Sequence, residues 1–108
     1  MGKFEIKTRK NGEFQFNLKA PNGRVILTSE GYTTKAACLN GIESVKENSR
    51  KEVRFEKHES KDGKFYFNLK ASNGQIVGTS EMYGSVSSRN KGIASVMKNA
   101  PGARIAEV

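Results

Sequence analysis

Only one cysteine, Cys38, and one histidine, His58, occur in the chain, and tryptophan is absent. A single cysteine excludes an internal disulfide. Its place among apolar positions at helical spacing predicts a buried thiol, and a nucleophile would need a nearby base or cation that the sequence does not show. Cys/His metal-ligand spacing is missing, and no glycine-rich phosphate loop precedes a helix. A Ser/His/Asp or Cys/His arrangement would have to use His58. The one aspartate, Asp62, sits in an Asp-Gly turn where a structural role suffices. Glutamates that alternate with lysines read as a solvated strand face. The expectation is therefore no catalytic residue, no metal and no cofactor. Long apolar stretches are also lacking: no run approaches the ~18 residues of a membrane-spanning helix. The opening "MGKFEIKTRK" alternates apolar and charged residues, unlike a signal peptide, and Ile6 stands where a myristoylation motif wants Ser or Thr. A cytoplasmic protein with no membrane contact is expected.

What is abundant is positive charge. The net charge is +8, divided as +5 through Lys51 and +3 after it, so no basic tail carries the excess. Such a balance favours contact with polyanions without fixing a partner. With 35% hydrophobic residues in 108, the chain supports a modest core and is one domain by size.

The chain also says nearly the same thing twice. Adding 51 to a first-half number lands on its counterpart, so that Gly12 meets Gly63, Asn17 meets Asn68 and Val45 meets Val96. "FNLKA" recurs unchanged at 16–20 and 67–71, "TSE" at 28–30 and 79–81, and "GIESV" (41–45) returns as "GIASV" (92–96). Two copies are too few for an open solenoid. They suit a pseudo-two-fold pair fused in one chain, repeat 1 spanning about residues 3–51 and repeat 2 about 52–108 of a single 1–108 domain.

Each unit reads strand, strand, strand, helix. Phe14, Phe16, Leu18 and Ala20 alternate with Gln15, Asn17 and Lys19, the period of a half-buried strand. Asn22-Gly23 predicts a two-residue type I′ hairpin, which sets Ala20 opposite Val25, Leu18 opposite Leu27 and Phe16 opposite Ser29. The other face then pairs Asn17 with Thr28 and Lys19 with Ile26, repeated as Asn68 with Thr79 and Lys70 with Val77. For the first hairpin, a loop over residues 10–12 with a left-handed Gly12 keeps Ile6 opposite Phe16 and Phe4 opposite Leu18. A two-residue turn would put Glu5, Lys7 and Arg9 on the phenylalanine face instead. Thr33 or Thr34, and Ser85 in the second copy, can cap the helices. Ala37, Cys38, Gly41, Ile42 and Val45 make the apolar stripe, and mid-helix Gly41 and Gly92 predict close packing. Arg89 replaces Cys38 in the second copy, which predicts an exposed edge there. "KEVRFEKHE" (51–59) and "ARIAEV" (103–108) read as further strands.

Both "FNLKA…NG…TSE.Y" segments and both "GI.SV" helices resemble the YegP-like family of small bacterial proteins, over essentially the whole chain. The resemblance implies an α+β fold of tandem β-β-β-α-β repeats forming one antiparallel sheet, with two helices packed on one face. Its closing strands are exchanged between units, so "EVRFEKHE" would close the first unit while opening the second, and "ARIAEV" would close the second. It transfers no active site.

The function expected is a non-enzymatic binding or accessory module with no assigned ligand, a monomer built as an internal pseudo-dimer. The alternative is a weak, sequence-tolerant binder of single-stranded RNA or DNA through the basic open face of the sheet. The phenylalanines point to the helix side, which leaves Tyr66 as the main aromatic of the open face. The candidate contact residues are Asn17, Lys19, Thr28, Tyr66, Asn68, Lys70 and Thr79, although Asn-Thr pairs and lysines are also ordinary sheet chemistry.

Overall fold

The alternating segments become strands and the striped segments helices, at the same places in both copies. The computed structural model describes residues 2–108, and Met1, the first residue of the expected domain, lies outside them. Repeat 1 contributes β1 (Lys3–Thr8), β2 (Phe14–Lys19), β3 (Val25–Thr28) and α1 (Lys35–Asn48). Repeat 2 contributes β4 (Phe55–Glu59), β5 (Phe65–Lys70), β6 (Ile76–Thr79) and α2 (Val86–Asn99), and β7 (Arg104–Glu107) follows. Each helix starts at a hydroxyl cap: Thr34 Oγ1 accepts from the Ala37 N–H and Ser85 Oγ from the Ser88 N–H, both at 3.1 Å.

One seven-stranded sheet runs in the order β4-β5-β6-β3-β2-β1-β7. The expected first register holds, with Ile6 opposite Phe16 and Phe4 opposite Leu18, and Gly12 is left-handed at φ 86°. The second hairpin differs from expectation. A type I′ turn needs positive φ at both central residues, and only Gly23 has it. Pro21 instead starts a three-residue loop in which the Gly23 N–H donates to the Ala20 carbonyl at 2.9 Å. Ala20 therefore pairs its N–H with Arg24, not Val25. A bulge after Leu18 sets Lys19 opposite Val25 rather than Ile26, and its counterpart sets Lys70 opposite Ile76 rather than Val77. The extra residue of the bulge, Ile26, is buried.

Three other expectations need correction. The sheet is mixed, because β7 pairs parallel with β1; all its other pairings are antiparallel. β7 is thus exchanged onto repeat 1 as the resemblance implied, but the segment around β4 has no matching role. Residues Glu52–Arg54 form a 3-10 turn, and β4 pairs with β5 alone among the described strands. Arg89, expected at an exposed edge, is 9% exposed, its guanidinium lying 5.7 Å from the centre of the Phe65 ring. Its aliphatic stem is buried at the position equivalent to Cys38, with the flat head against the Phe65 ring.

The core lies between the sheet and the helices. Phe4 meets Phe16 edge to face at 5.7 Å, and Phe55 meets Phe67 the same way at 5.6 Å. Tyr32 and Tyr83 stack on Phe16 and Phe67 and pass under the helices at Gly41 and Gly92. A methyl group on Gly41 would lie 2.7 Å from Tyr32 Cζ, and one on Gly92 would lie 2.7 Å from Tyr83 Cζ. Close packing does explain these glycines, with a tyrosine as the neighbour. The repeated Ser of "TSE" pins each β-hairpin: Ser29 Oγ accepts from the Phe16 N–H at 2.9 Å and donates to the Glu30 carbonyl at 2.8 Å. Ser80 does the same for Phe67 and Glu81.

The repeats meet at one registered pair, Thr28 with Thr79. Beside it the internal symmetry breaks. Leu27 and Gly78 are equivalent residues, and the Leu27 side chain occupies the space above Gly78, where an added Cβ would lie 2.6 Å from Leu27 Cγ. Leu27→Ala is expected to cost about 2–5 kcal/mol through the cavity it leaves, and Gly78→Ala about 1–3 kcal/mol through overpacking. Combined, they should cost less than the sum by about 0.5 kcal/mol or more, read from urea unfolding of the four proteins in the cycle. Strict additivity would show that the two sites do not compete for one volume.

Candidate functional site

On the face away from the helices, the registers line up one row across six strands: Glu5, Asn17, Thr28, Thr79, Asn68 and Glu56. Four of the seven candidate residues are therefore neighbours at the centre of the sheet. Thr79 donates to Asn68 Oδ1 at 3.0 Å. The bond is not repeated in the first copy, where Asn17 Oδ1 is buried without a partner.

Lys19 and Lys70 lie at the two flanks and fold onto the row's end carboxylates. Lys19 Nζ is 2.9 Å and Lys3 Nζ 3.0 Å from Glu5, whose side chain is only 13% exposed. Lys70 Nζ and His58 Nε2 each approach Glu56 to 2.7 Å. The lysine bonds hold both carboxyls below the usual glutamate range, and burial opposes them only in part. Tyr66, the expected open-face aromatic, is covered by His58, whose ring stacks on it at 5.1 Å. The face is thus partly neutralised from within. Lys3, Lys19 and Lys70 are committed to glutamates and its one large ring to a histidine, while Lys7 at the outer flank makes no ion pair among the described residues.

Catalytic geometry does not assemble around the lone cysteine and histidine. Cys38 is wholly buried on the helix side, where burial pushes its thiol pKa up and keeps it protonated. His58 lies on the opposite face with Glu56 and Tyr66. Among the described residues, no three His, Cys, Asp or Glu side chains gather as metal ligands. Among the described residues, no helix is long and apolar enough to cross a membrane.

The concave surface lies elsewhere, between α2 and the β2–β3 hairpin of the other repeat. Two adjoining hollows of about 500 and 550 Å³ share Ala20, Asn22, Lys91 and Ser95. Arg24 and Ser88 line the first and Lys98 the second. Arg24 is held at the rim by Glu81 at 2.8 Å, and Ser95 Oγ accepts from Asn99 Nδ2 at 3.2 Å. Lys91 and Lys98 make no ion pair among the described residues. Sequence reasoning missed these residues because the packing of α2 across the repeat boundary is a long-range fact. A signal was present nonetheless: at offset 51, Arg24, Lys91, Ala94 and Lys98 correspond to Gln75, Asn40, Glu43 and Glu47.

A duplicated β-β-β-α unit with an exchanged last strand defines the class of protein, and similarity then defines the family. The chain belongs to the family described as "Domain of unknown function (DUF1508)", which matches it twice, over residues 10–56 and 60–107. A protein from Stutzerimonas stutzeri, "UPF0339 protein in ptx operon 5'region", is 56% identical over 107 residues, 99% of this chain and 96% of that one. UPF0339 protein YegP of Escherichia coli K12 is 53% identical over 98 residues, 91% of this chain and 89% of its own. The solution NMR structure of YegP from E. coli, a protein of unknown function, superposes with a TM-score of 0.93 at 49% identity, covering 98% of this chain and 91% of that one. The UPF0339 protein from Shewanella oneidensis gives the same TM-score at 52% identity, covering 98% and 90%.

Glu5 and Glu56 make the open face a source of pH-dependent stability. Their folded pKa values lie below the unfolded ones. The stability they add is therefore fully present above the ordinary glutamate value and lost as pH falls through the lower folded value. Urea midpoints should hold steady at neutral pH and fall below the ordinary glutamate range. Glu5→Gln/Glu56→Gln should flatten that acid limb, and an unchanged limb would place the dependence in other carboxylates.

Proposed function

We propose that this chain is a cytosolic, non-catalytic binding module whose ligand is anionic, bearing phosphate or a comparable charge, and whose contact surface is the groove between α2 and the β2–β3 hairpin. The divergence of the two repeats carries this reading. Most positions that build the fold are alike in the two repeats, Leu27/Gly78 and Cys38/Arg89 excepted, while the groove positions differ in charge. Arg24, Glu81, Lys91 and Lys98 sum to +2, whereas their equivalents Gln75, Glu30, Asn40 and Glu47 sum to −2. Hydroxyl and amide groups of Ser88, Ser95 and Asn22 line the same hollows and suit an anion's oxygens.

The open-face residues become supporting structure in this reading. Asn17, Thr28, Asn68 and Thr79 knit the centre of the sheet, and Lys19, Lys70 and Tyr66 are occupied by Glu5, Glu56 and His58. A strand of nucleic acid lying over the centre of the sheet would have to compete with those pairs, leaving Lys7 at the flank as the unpaired lysine of that face.

Titration with inorganic pyrophosphate at low ionic strength, followed by amide chemical shifts, tests the proposal. Saturable shifts are expected at Lys91, Ser95 and Lys98, at least tenfold weakened in Lys91→Ala/Lys98→Ala and unaltered in Lys19→Ala/Lys70→Ala. Shifts centred on Asn17 and Asn68, and lost in the second pair of variants, would return the ligand to the open face. No shift at either surface up to millimolar pyrophosphate would sink the anionic reading.

A further inference from the structure

β4 is a sheet edge whose proper covering can be read from the other end of the same sheet. The repeat equates β1 with β4, and β1 is covered by β7 in parallel, Phe4 opposite Ile105 and Ile6 opposite Glu107. The Val108 N–H donates to the Ile6 carbonyl at 2.9 Å. Carried over by 51 residues, this register makes Phe55 and Lys57 the receiving positions. No described strand fills the place, and the first-repeat equivalents of Arg104–Glu107 are Val53, Arg54 and the first residues of β4 itself.

Three differences between the two ends show a slot and not merely an end. Beside β1, a hollow of about 240 Å³ formed by Gly2, Lys3, Ala20, Pro21 and Gly23 is walled by Arg104 of β7. Beside β4, the equivalent hollow of about 280 Å³ lacks that wall and opens onto Phe55 and Glu56. Gly2 is replaced by Val53, which is 87% exposed. Lys35, which pairs with Glu107 of β7, is replaced by Val86, 45% exposed. The bare edge is thus flanked by uncovered valines, Val86 where Lys35 pairs with the covering strand at the other end and Val53 where Gly2 shares a hollow with Arg104 of that strand. Between them Lys57 stands where Ile6 stands in β1, and it makes no ion pair among the described residues. A charged residue on an edge deters indiscriminate pairing and selects for a partner of opposite charge.

We infer that the β4 edge accepts one extended segment of another protein, added parallel to β4 as β7 is added to β1. That segment carries aliphatic residues against Val53 and Val86 and an acidic residue for Lys57. Main-chain hydrogen bonds to the outward groups of Lys57 supply affinity, and the flanking side chains supply selectivity. β7 already has this pattern, with Ile105, Ala106, Glu107 and Val108. Its Arg104 alone is unsuited, since it would face Arg54.

The test uses a capped synthetic peptide with the sequence of residues 102–108 bearing Arg104→Thr, titrated into the full chain and followed by amide shifts. Saturable shifts over residues 54–59 and at Val86, with slowed exchange of the Lys57 amide, are the expected result. Lys57→Pro removes the outward N–H and should abolish binding, a substitution that edge strands tolerate. Val53→Asp/Val86→Asp changes only exposed side chains and should weaken binding at least tenfold, so a folding defect in the proline variant leaves the proposal testable. Absence of shifts at millimolar peptide would overturn it. So would shifts confined to β1 and β7, which would mean strand displacement there. Shifts over residues 54–59 on concentrating the protein alone would assign the edge to a second copy instead.

Discussion

The joint between β3 and β6 decides whether the two repeats are one molecule. A single registered pair, Thr28 with Thr79, is far too little ladder to hold two half-sheets. The joint is made firm by what lies over it. Leu27 fills the space above Gly78, and each helix spans the boundary, α1 packing on β2 and β6 and α2 on β5 and β3. Buried apolar surface across the joint thus supplies what the ladder lacks. The exchanged β7 adds a second tie at the far edge, since it leaves repeat 2 and covers β1 of repeat 1.

Much of this was legible because the sequence contains its own comparison. The 51-residue offset, the alternation through Phe14 and Leu18, and the Gly12 loop lead to the observed strands and to the register of Ile6 with Phe16. The features that escaped depend on contacts far apart in sequence or on small conformational preferences. Three-residue loops replace the type I′ turns after both Ala20 and Ala71, with Pro21 in one and Ser72 in the other, and a bulge accompanies each. Arg89 reads as exposed from its charge, yet Phe65 across the helix–sheet boundary gives it a buried place. Parallel pairing of β7 depends on a partner a whole chain length away.

The candidate site shows the same division. Register paired Asn17 with Thr28 and Asn68 with Thr79, and the Thr28–Thr79 joint, which the sequence did not announce, makes them one row. It did not foretell that Lys19 and Lys70 would be spent on Glu5 and Glu56, although Glu5 lies directly opposite Asn17, next but one to Lys19. Net charge is therefore a poor guide to where free positive charge stands. Lys91 and Lys98 on α2 line concave surface and make no ion pair among the described residues, whereas Lys19 and Lys70 on the sheet are paired with Glu5 and Glu56.

Leu27 above Gly78 has a consequence for symmetry. Two copies of a unit bearing leucine at this position would collide at the axis, and two copies bearing glycine would leave a void there. At this joint the two halves are complements and not copies, as different as a key and its lock.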